Sequence, residues 1–270
     1  MQPVFLSSDS GALFCVYYPP TTEPLNRAIL HVPAFAEEMN KSRQMVALQA
    51  RAFAARGYAV LVMDLLGTGD STGDFGDASW ATWLDNIATA IAWLQGQGAS
   101  TVALWGLRSG ALLAMDFISR RPAVVDRLIA WQPVLNGDTY VTQFLRLRVA
   151  ASVMDSSAPK EKTSDLKRQL QDGQAVEVAG YLLNPELINP LLSIRADRLS
   201  LSGLNMLTMF EVVASADAQI GIANAQFLAQ LQGAGINCSL TQVVGESFWA
   251  TQEITLAPEL ITLTTDRVGQ

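Results

Sequence analysis

Gly106-Leu107-Arg108-Ser109-Gly110 stands between an apolar run at 101–105 and a helical pattern at 109–121 that Pro122 stops. A buried strand, a sharp turn and a helix form the setting in which a G-x-S-x-G pentapeptide lifts a nucleophilic serine out of a sheet. Both glycines have the required spacing here, but the nucleophile position holds Arg108, and serine comes one residue late, at Ser109. A serine nucleophile also needs a general base, and an acid that orients the base. In the chain order Ser, Asp/Glu, His the base follows the last strand. That loop reads Gly245-Glu246-Ser247-Phe248-Trp249 and has no histidine. The whole chain holds one histidine, His31, so the usual triad cannot be assembled. Asp217 follows the strand expected at 205–213, about where the triad acid would stand. Without a partner histidine the reading as a loop-capping carboxylate is favoured.

Arg108 admits two readings. A residue at this turn is exposed at a helix N-terminus, where backbone N–H groups and the helix dipole favour anions. A guanidinium adds a planar fork for carboxylate or phosphate, so an anionic ligand or partner group could sit on it. Alternatively, Arg108 pairs internally with Glu37 or Glu38, since buried charges are costly unless paired. His31 ends the third strand and reads as a packed residue or as an unusual base for Ser109. For that dyad, Ser109 would have to turn its side chain away from the helix start. Glu37, Glu38, Asn40, Lys41 and Arg43 cluster after the same strand, on the usual ligand side of a parallel sheet. They are candidates for ligand binding. Asp64, Asp70 and Asp74 lie among glycines and fit a tight loop better than a metal site. No metal and no cofactor are expected.

The elements that must position these groups are legible as a rhythm. Apolar stretches at 5–6 and 13–18 flank a turn-rich segment and suggest an antiparallel hairpin. Strand-length apolar runs follow at 27–32, 59–63, 101–105, 127–132, 205–213 and 238–244. Amphipathic stretches separate them. One carries Met45, Leu48, Ala52 and Phe53; another carries Trp80, Trp83, Leu84, Ile87, Ile91 and Leu94. Helices are also expected at 109–121, 220–231 and 258–267. The segment 33–42 reads as a charged loop. Strands alternating with helices imply a mostly parallel central sheet flanked by helices, with right-handed crossovers. Residues 137–202 break the rhythm. They are partly helical, at 140–149 and 160–171, and read as a lid-like insertion in a single domain spanning 1–270.

Composition narrows the partners. Half of the 270 residues are hydrophobic, and the net charge is −7. A pI of about 4.7 argues against nucleic acid, which requires a basic face. Cys15 and Cys238 show no metal or redox spacing and read as buried thiols. No apolar run approaches the roughly 20 residues of a membrane span. The N-terminus has no secretory pattern, so a cytoplasmic location is expected.

The order of elements resembles the α/β-hydrolase superfamily over nearly the whole chain. Asp64-Leu-Leu-Gly-Thr-Gly-Asp-Ser71 is similar to that superfamily's D-x-x-G-x-G-x-S loop after the fourth strand. The stretches at 33–43, 131–134 (Trp-Gln-Pro-Val), 143–148 and 106–108 resemble one group in particular. That group is the type-2 hydrolase associated with the exosortase A system. The resemblance implies a cytoplasmic α/β-hydrolase-like protein in bacteria that export tagged proteins and make extracellular polysaccharide. Three functions stay open. One is a degenerate hydrolase-like protein that binds an anionic or acyl ligand, or a protein of the export and polysaccharide machinery, without triad turnover. Another is an active ester or thioester hydrolase using Ser109 and His31. The third is a structural interaction protein.

Overall fold

Short apolar runs, buried on both faces in the central strands, fix the sheet. In the computed structural model, which describes residues 1–22, 25–154 and 160–268, β1 (Gln2–Ser8) and β2 (Gly11–Tyr18) form an antiparallel hairpin. Then come β3 (Arg27–Val32), β4 (Ala59–Met63), β5 (Thr101–Leu107), β6 (Arg127–Trp131), β9 (Met206–Val213) and β10 (Asn237–Val244). Together they make an eight-stranded sheet in the order β1-β2-β4-β3-β5-β6-β9-β10. From β4 to β10 every pairing is parallel. This is the α/β-hydrolase architecture expected from the sequence.

Side-chain alternation sends each strand into two cores. On one face Leu30, Val32, Leu104, Leu128 and Met209 pack with α2 (Trp80–Gly96) and α3 (Ser109–Arg120). On the other, Ile29, Trp105, Trp131 and Phe210 pack with α1 (Glu37–Ala55) and α8 (Pro258–Val268). The remaining helix of the alternation, α7 (Ile222–Gly233), lies against β10.

The charged segment expected to be a loop at 33–42 is loop only as far as Ala36. Helix α1 already begins at Glu37. Two glutamates suit the positive end of a helix dipole, and Ala36 makes the entry turn at φ 52. Glu37, Glu38, Asn40 and Lys41 are therefore helical residues held in register. The buried stripe of α1 is Met45, Val46, Gln49, Ala50 and Phe53, whereas Leu48 and Ala52 are half-buried.

Residues 137–202 contain α4 (Gly137–Met154), α5 (Thr163–Gln171), a small hairpin of β7 (Val176–Val178) and β8 (Tyr181–Leu183), and α6 (Pro185–Ser193). Positions 155–159 within this stretch lie outside the described residues. The excursion leaves and returns at one place. Asn136 bridges Arg195, and Gly137 N–H donates to the Ile194 carbonyl at 3.0 Å. The hairpin and α6 gave no clear periodic signal because each is short. Among the described residues, no helix is long and apolar enough to cross a membrane. Both cysteines are free and buried.

Candidate functional site

The turn after β5 has the geometry that its glycine spacing promised. Arg108 sits at φ 55, ψ −119, a strained conformation for a residue with a Cβ. Backbone bonds hold it there: Arg108 N–H donates to the Trp131 carbonyl at 2.9 Å, and its own carbonyl accepts from Ala111 and Val134 at 3.1 Å each. Both glycines answer to packing. A Cβ at Gly110 would collide with the carbonyl oxygens of Val32 and Pro33, and one at Gly106 with the Ala111 backbone. The spacing therefore records how closely α3 approaches β3 and β5, whatever residue stands between the glycines.

The Arg108 side chain turns inward to Glu38. Its Nε donates to Glu38 Oε1 at 3.2 Å, and Nη2 lies 3.2 Å from the same oxygen. Tyr140, on α4, donates its hydroxyl to Glu38 Oε2 at 2.9 Å. Arg108 Nη1 donates to the Gln132 carbonyl at 3.4 Å. The guanidinium carbon stands 5.4 Å from the Trp249 ring centroid and 5.8 Å from that of Tyr140, both within cation–π range. The loop that chain order assigns to a catalytic histidine thus delivers an indole. Burial pushes the Glu38 carboxyl above its ordinary range, against the pull of Arg108. Burial, then the Glu38 charge, pushes the Tyr140 phenol well above its ordinary value, so it stays a donor.

Of the two glutamates, Glu38 is the partner of Arg108. Glu37 is exposed and accepts from the Tyr181 hydroxyl at 2.9 Å, and Asn40 reaches the same hydroxyl at 3.4 Å. Lys41 is half-buried and acts on Glu38 through charge. Arg43 turns the other way, to Asp64 at 3.2 Å. Asp64 is the hub of a tight loop, also accepting from Asp70 N–H at 3.0 Å. Among the described residues there is no group of three His, Cys, Asp or Glu side chains that could hold a metal ion.

Ser109 and His31 are not brought together. Ser109 is buried at the start of α3, against the Tyr140 hydroxyl. His31 lies between Leu30 and Val32, which face the α3 side, so its ring enters the opposite core. There it packs tilted at 50° against the Trp105 ring, with centroids 4.4 Å apart, and its Nδ1 is 3.1 Å from the Trp105 carbonyl. Burial, the largest influence, lowers its pKa to about 3, so the ring is neutral. Asp217 is exposed four residues after the end of β9, hydrogen-bonded with Ser215 rather than with any site residue.

Sequence reasoning missed Gln132, Tyr140 and Trp249 as members of this cluster. Gln132 lay inside the Trp-Gln-Pro-Val stretch. At φ 42 it ties the end of β6 to β9, its Oε1 accepting from Val212 N–H at 2.6 Å. Tyr140 could not be found by spacing, because it arrives from the insertion. An aromatic shell completes the volume above the turn: Phe35 meets Phe75, Phe144 and Tyr140 at 5.2, 5.1 and 6.0 Å.

The family model of serine aminopeptidase, S33, matches residues 4–196. The chain belongs to the serine aminopeptidase S33 family. The match ends before β9 and β10, after which the acid and base of a triad would stand. By sequence, no curated protein matches this S33 member. Among solved structures it is similar to Est1E from Butyrivibrio proteoclasticus with ferulic acid bound: TM-score 0.64, 17% identity, covering 98% of this chain and 96% of that one. A putative α/β hydrolase from Agrobacterium tumefaciens gives 0.60 at 19% identity, with coverage of 99% and 94%. The mouse α/β-hydrolase domain-containing protein 10 gives 0.61 at 14%, with coverage of 99% and 98%. These likenesses establish a shared α/β-hydrolase fold.

Proposed function

We propose that this S33-family protein is non-hydrolytic and uses its elbow to bind an anionic group of an acyl-type ligand or of a protein partner. One observation carries the reading. The carboxylate of Glu38 already occupies Arg108, with the Tyr140 hydroxyl on its second oxygen. The elbow is an anion seat filled by the chain's own carboxylate. A ligand carboxylate or phosphate offers the same acceptors, and burial makes Glu38 the easier of the two to release, by protonation. In this reading 137–202 is a lid, because Tyr140 comes from α4 and Tyr181 from β8.

The motifs at 33–43, 106–108, 131–134 and 143–148 support placing the chain in the type-2 hydrolase group of the exosortase A system. On that reading it works in the cytoplasm, beside the export and polysaccharide machinery. A second reading, a structural interaction protein, is favoured by the aromatic filling above the turn. Leu147 and Val153, 51% and 62% exposed on α4, would then contact the partner. An ester or thioester hydrolase built on Ser109 and His31 has against it their projection into opposite cores.

The test is hydrolysis of short- and medium-chain aryl esters and acyl thioesters by wild type, Ser109→Ala and His31→Ala, with binding of an acyl phosphate measured alongside. All three proteins should stay at background, while Arg108→Met loses acyl-phosphate binding and Glu38→Gln strengthens it. Wild-type hydrolysis that falls roughly a hundredfold in either alanine variant, the scale of losing a nucleophile or base, would overturn the proposal.

A further inference from the structure

The second face of α1 covers a cavity that the elbow does not use. It measures about 180 Å³ and lies between α1 and the strands β2, β3 and β4. An apolar cavity of about 150 Å³ is large enough for a benzene-sized molecule. Most of the wall is apolar, with Val46 and Ala47 from the helix and Val62 from the sheet. Ala47 and Val62 are only half-buried, so the space meets solvent beside the helix. The polar part is small: His31 in the sheet wall, the pair Arg43–Asp64 at 3.2 Å, and the side chains of Tyr18 and Ser42. Arg43 is 44% exposed at its side chain and Asp64 is 4% exposed.

His31 gives the cavity its chemistry. The ring is 2% exposed. A carbonyl oxygen can only accept, so the contact at 3.1 Å to the Trp105 carbonyl requires the proton on Nδ1. That leaves Nε2 with a lone pair. No protein donor reaches Nε2 among the described residues, and the ring lines the cavity. Nε2 is not among the buried polar atoms left without a partner, so its lone pair opens into the cavity, and a pocket whose few polar groups stand in apolar walls reads as a small-molecule site. We propose that this cavity binds a neutral, phenol-sized hydroxy compound, its ring or short chain between α1 and the sheet and its O–H donating to His31 Nε2. An anion is disfavoured because Asp64 stands in the wall. A cation would meet Arg43 there. A plain hydrocarbon would leave Nε2 unpaired. The site is separate from the elbow: Glu38 faces Arg108, whereas Met39, Ser42 and Arg43 line the cavity.

The single histidine makes the test specific, since every imidazole resonance belongs to His31. Phenol is titrated into full-length wild type while the imidazole nitrogens are followed by long-range proton–nitrogen NMR. Toluene, of the same shape without the donor, is titrated in parallel. The expected result is saturable phenol binding, at least tenfold tighter than toluene, with Nε2 moving and Nδ1 staying. Val46→Phe, which fills the space and leaves Arg108 and Glu38 untouched, should abolish binding. Val46→Phe serves only if its circular dichroism matches wild type; the wild-type comparison of phenol with toluene decides the question without it. Phenol that fails to saturate at millimolar concentration, equal affinity for the two probes, or an unmoved Nε2 would each overturn the site.

Discussion

The two faces of the first turns of α1 differ in one respect that matters for function. Toward the elbow every strong polar group is matched: Arg108 to Glu38, Glu38 to Tyr140, and aromatic rings in the volume around them. Toward the sheet, a few residues further along the helix, a buried imidazole has one hydrogen bond and an open space beside it. Both regions lie at the C-terminal ends of the same strands, the usual ligand side of a parallel sheet. At the turn after β5, where Arg108 stands between the glycines, the chain fills the space with its own carboxylate, phenol and indole. Where its only histidine lies, it leaves room. Retained glycines and a retained elbow conformation therefore say nothing about turnover, because the close approach of α3 to β3 and β5 demands them by itself.

The largest expected effect comes from removing the scaffold that both regions share. Gly110→Ala places a methyl inside the Val32 and Pro33 carbonyls, and the β3–α3 contact cannot yield without moving backbone. Destabilisation of more than about 4 kcal/mol is expected, read as loss of cooperative unfolding or of soluble protein. A variant with near wild-type stability would show that the glycine spacing is dispensable to packing.

Arg108→Ala attacks the filled region alone. Glu38 is left with Tyr140 and a high desolvation cost. Breaking a buried pair costs about 3–5 kcal/mol, and the partial exposure of these side chains reduces that to about 2–3 kcal/mol. The pH dependence follows from Glu38, whose folded pKa already lies above the ordinary value of 4.5. With Arg108 gone it rises further. The folded state then holds a proton that the unfolded state has released, so the variant's stability falls as pH rises above about 4.5. Denaturant unfolding across pH should show the deficit shrinking in acid. Arg108→Met combined with Glu38→Leu should recover much of the loss, since an apolar pair of similar size carries no orphan charge.

His31→Leu attacks the open region. His31 is neutral in the fold, with a pKa of about 3 against an ordinary 6.5. The unfolded chain takes up a proton below 6.5 that the folded chain refuses. Wild type therefore has this contribution in full above pH 6.5 and loses it as pH falls toward 3, at about 1.4 kcal/mol per unit. The leucine variant should show a flatter acid limb. Identical acid limbs would mean the imbalance comes from other groups.

How much of this was legible depends on what carried each signal. The parallel strands β3, β4, β5, β6, β9 and β10 read correctly to within two residues because apolar runs bounded by polar turns leave little choice in a parallel sheet, whereas the first strand, read at 5–6, runs Gln2–Ser8, and β7 and β8 were not read. The missing histidine was a count and could not mislead. The first turn of α1 was misread because Glu37, Glu38 and Lys41 resemble a solvated loop, although glutamates at a helix start are stabilising. The internal partner of Arg108 was narrowed to two residues, and spacing could not choose between them. Helix phase does: Glu38 faces the elbow, while Glu37 faces Tyr181. Tyr140 was beyond reach, because it arrives from the insertion through tertiary packing alone; chain order brought the loop of Trp249 to the turn, but nothing in the sequence said that its indole would face Arg108. Ser109 and His31 were paired on proximity in the topology, but alternation along β3 separates them.

The smallest expected effect is no effect at all, and it tests whether the elbow differs from an active one by a single residue. Arg108→Ser installs the missing serine at φ 55, ψ −119, the conformation that already exists there. Its Oγ would end far short of the Arg108 guanidinium, so Glu38, seated on that guanidinium now, lies beyond it. Tyr140, held as a donor by burial, cannot take its proton. Trp249 stands where a histidine would be needed, and His31 faces the other core. Ester hydrolysis by this variant should equal that of wild type, at background. Adding Glu38→Gln, which restores neutrality around the serine, should leave that result unchanged while improving stability over Arg108→Ser alone. Measurable turnover in either protein would mean that a base reaches position 108, and the two regions would then be less separate than their hydrogen bonds make them.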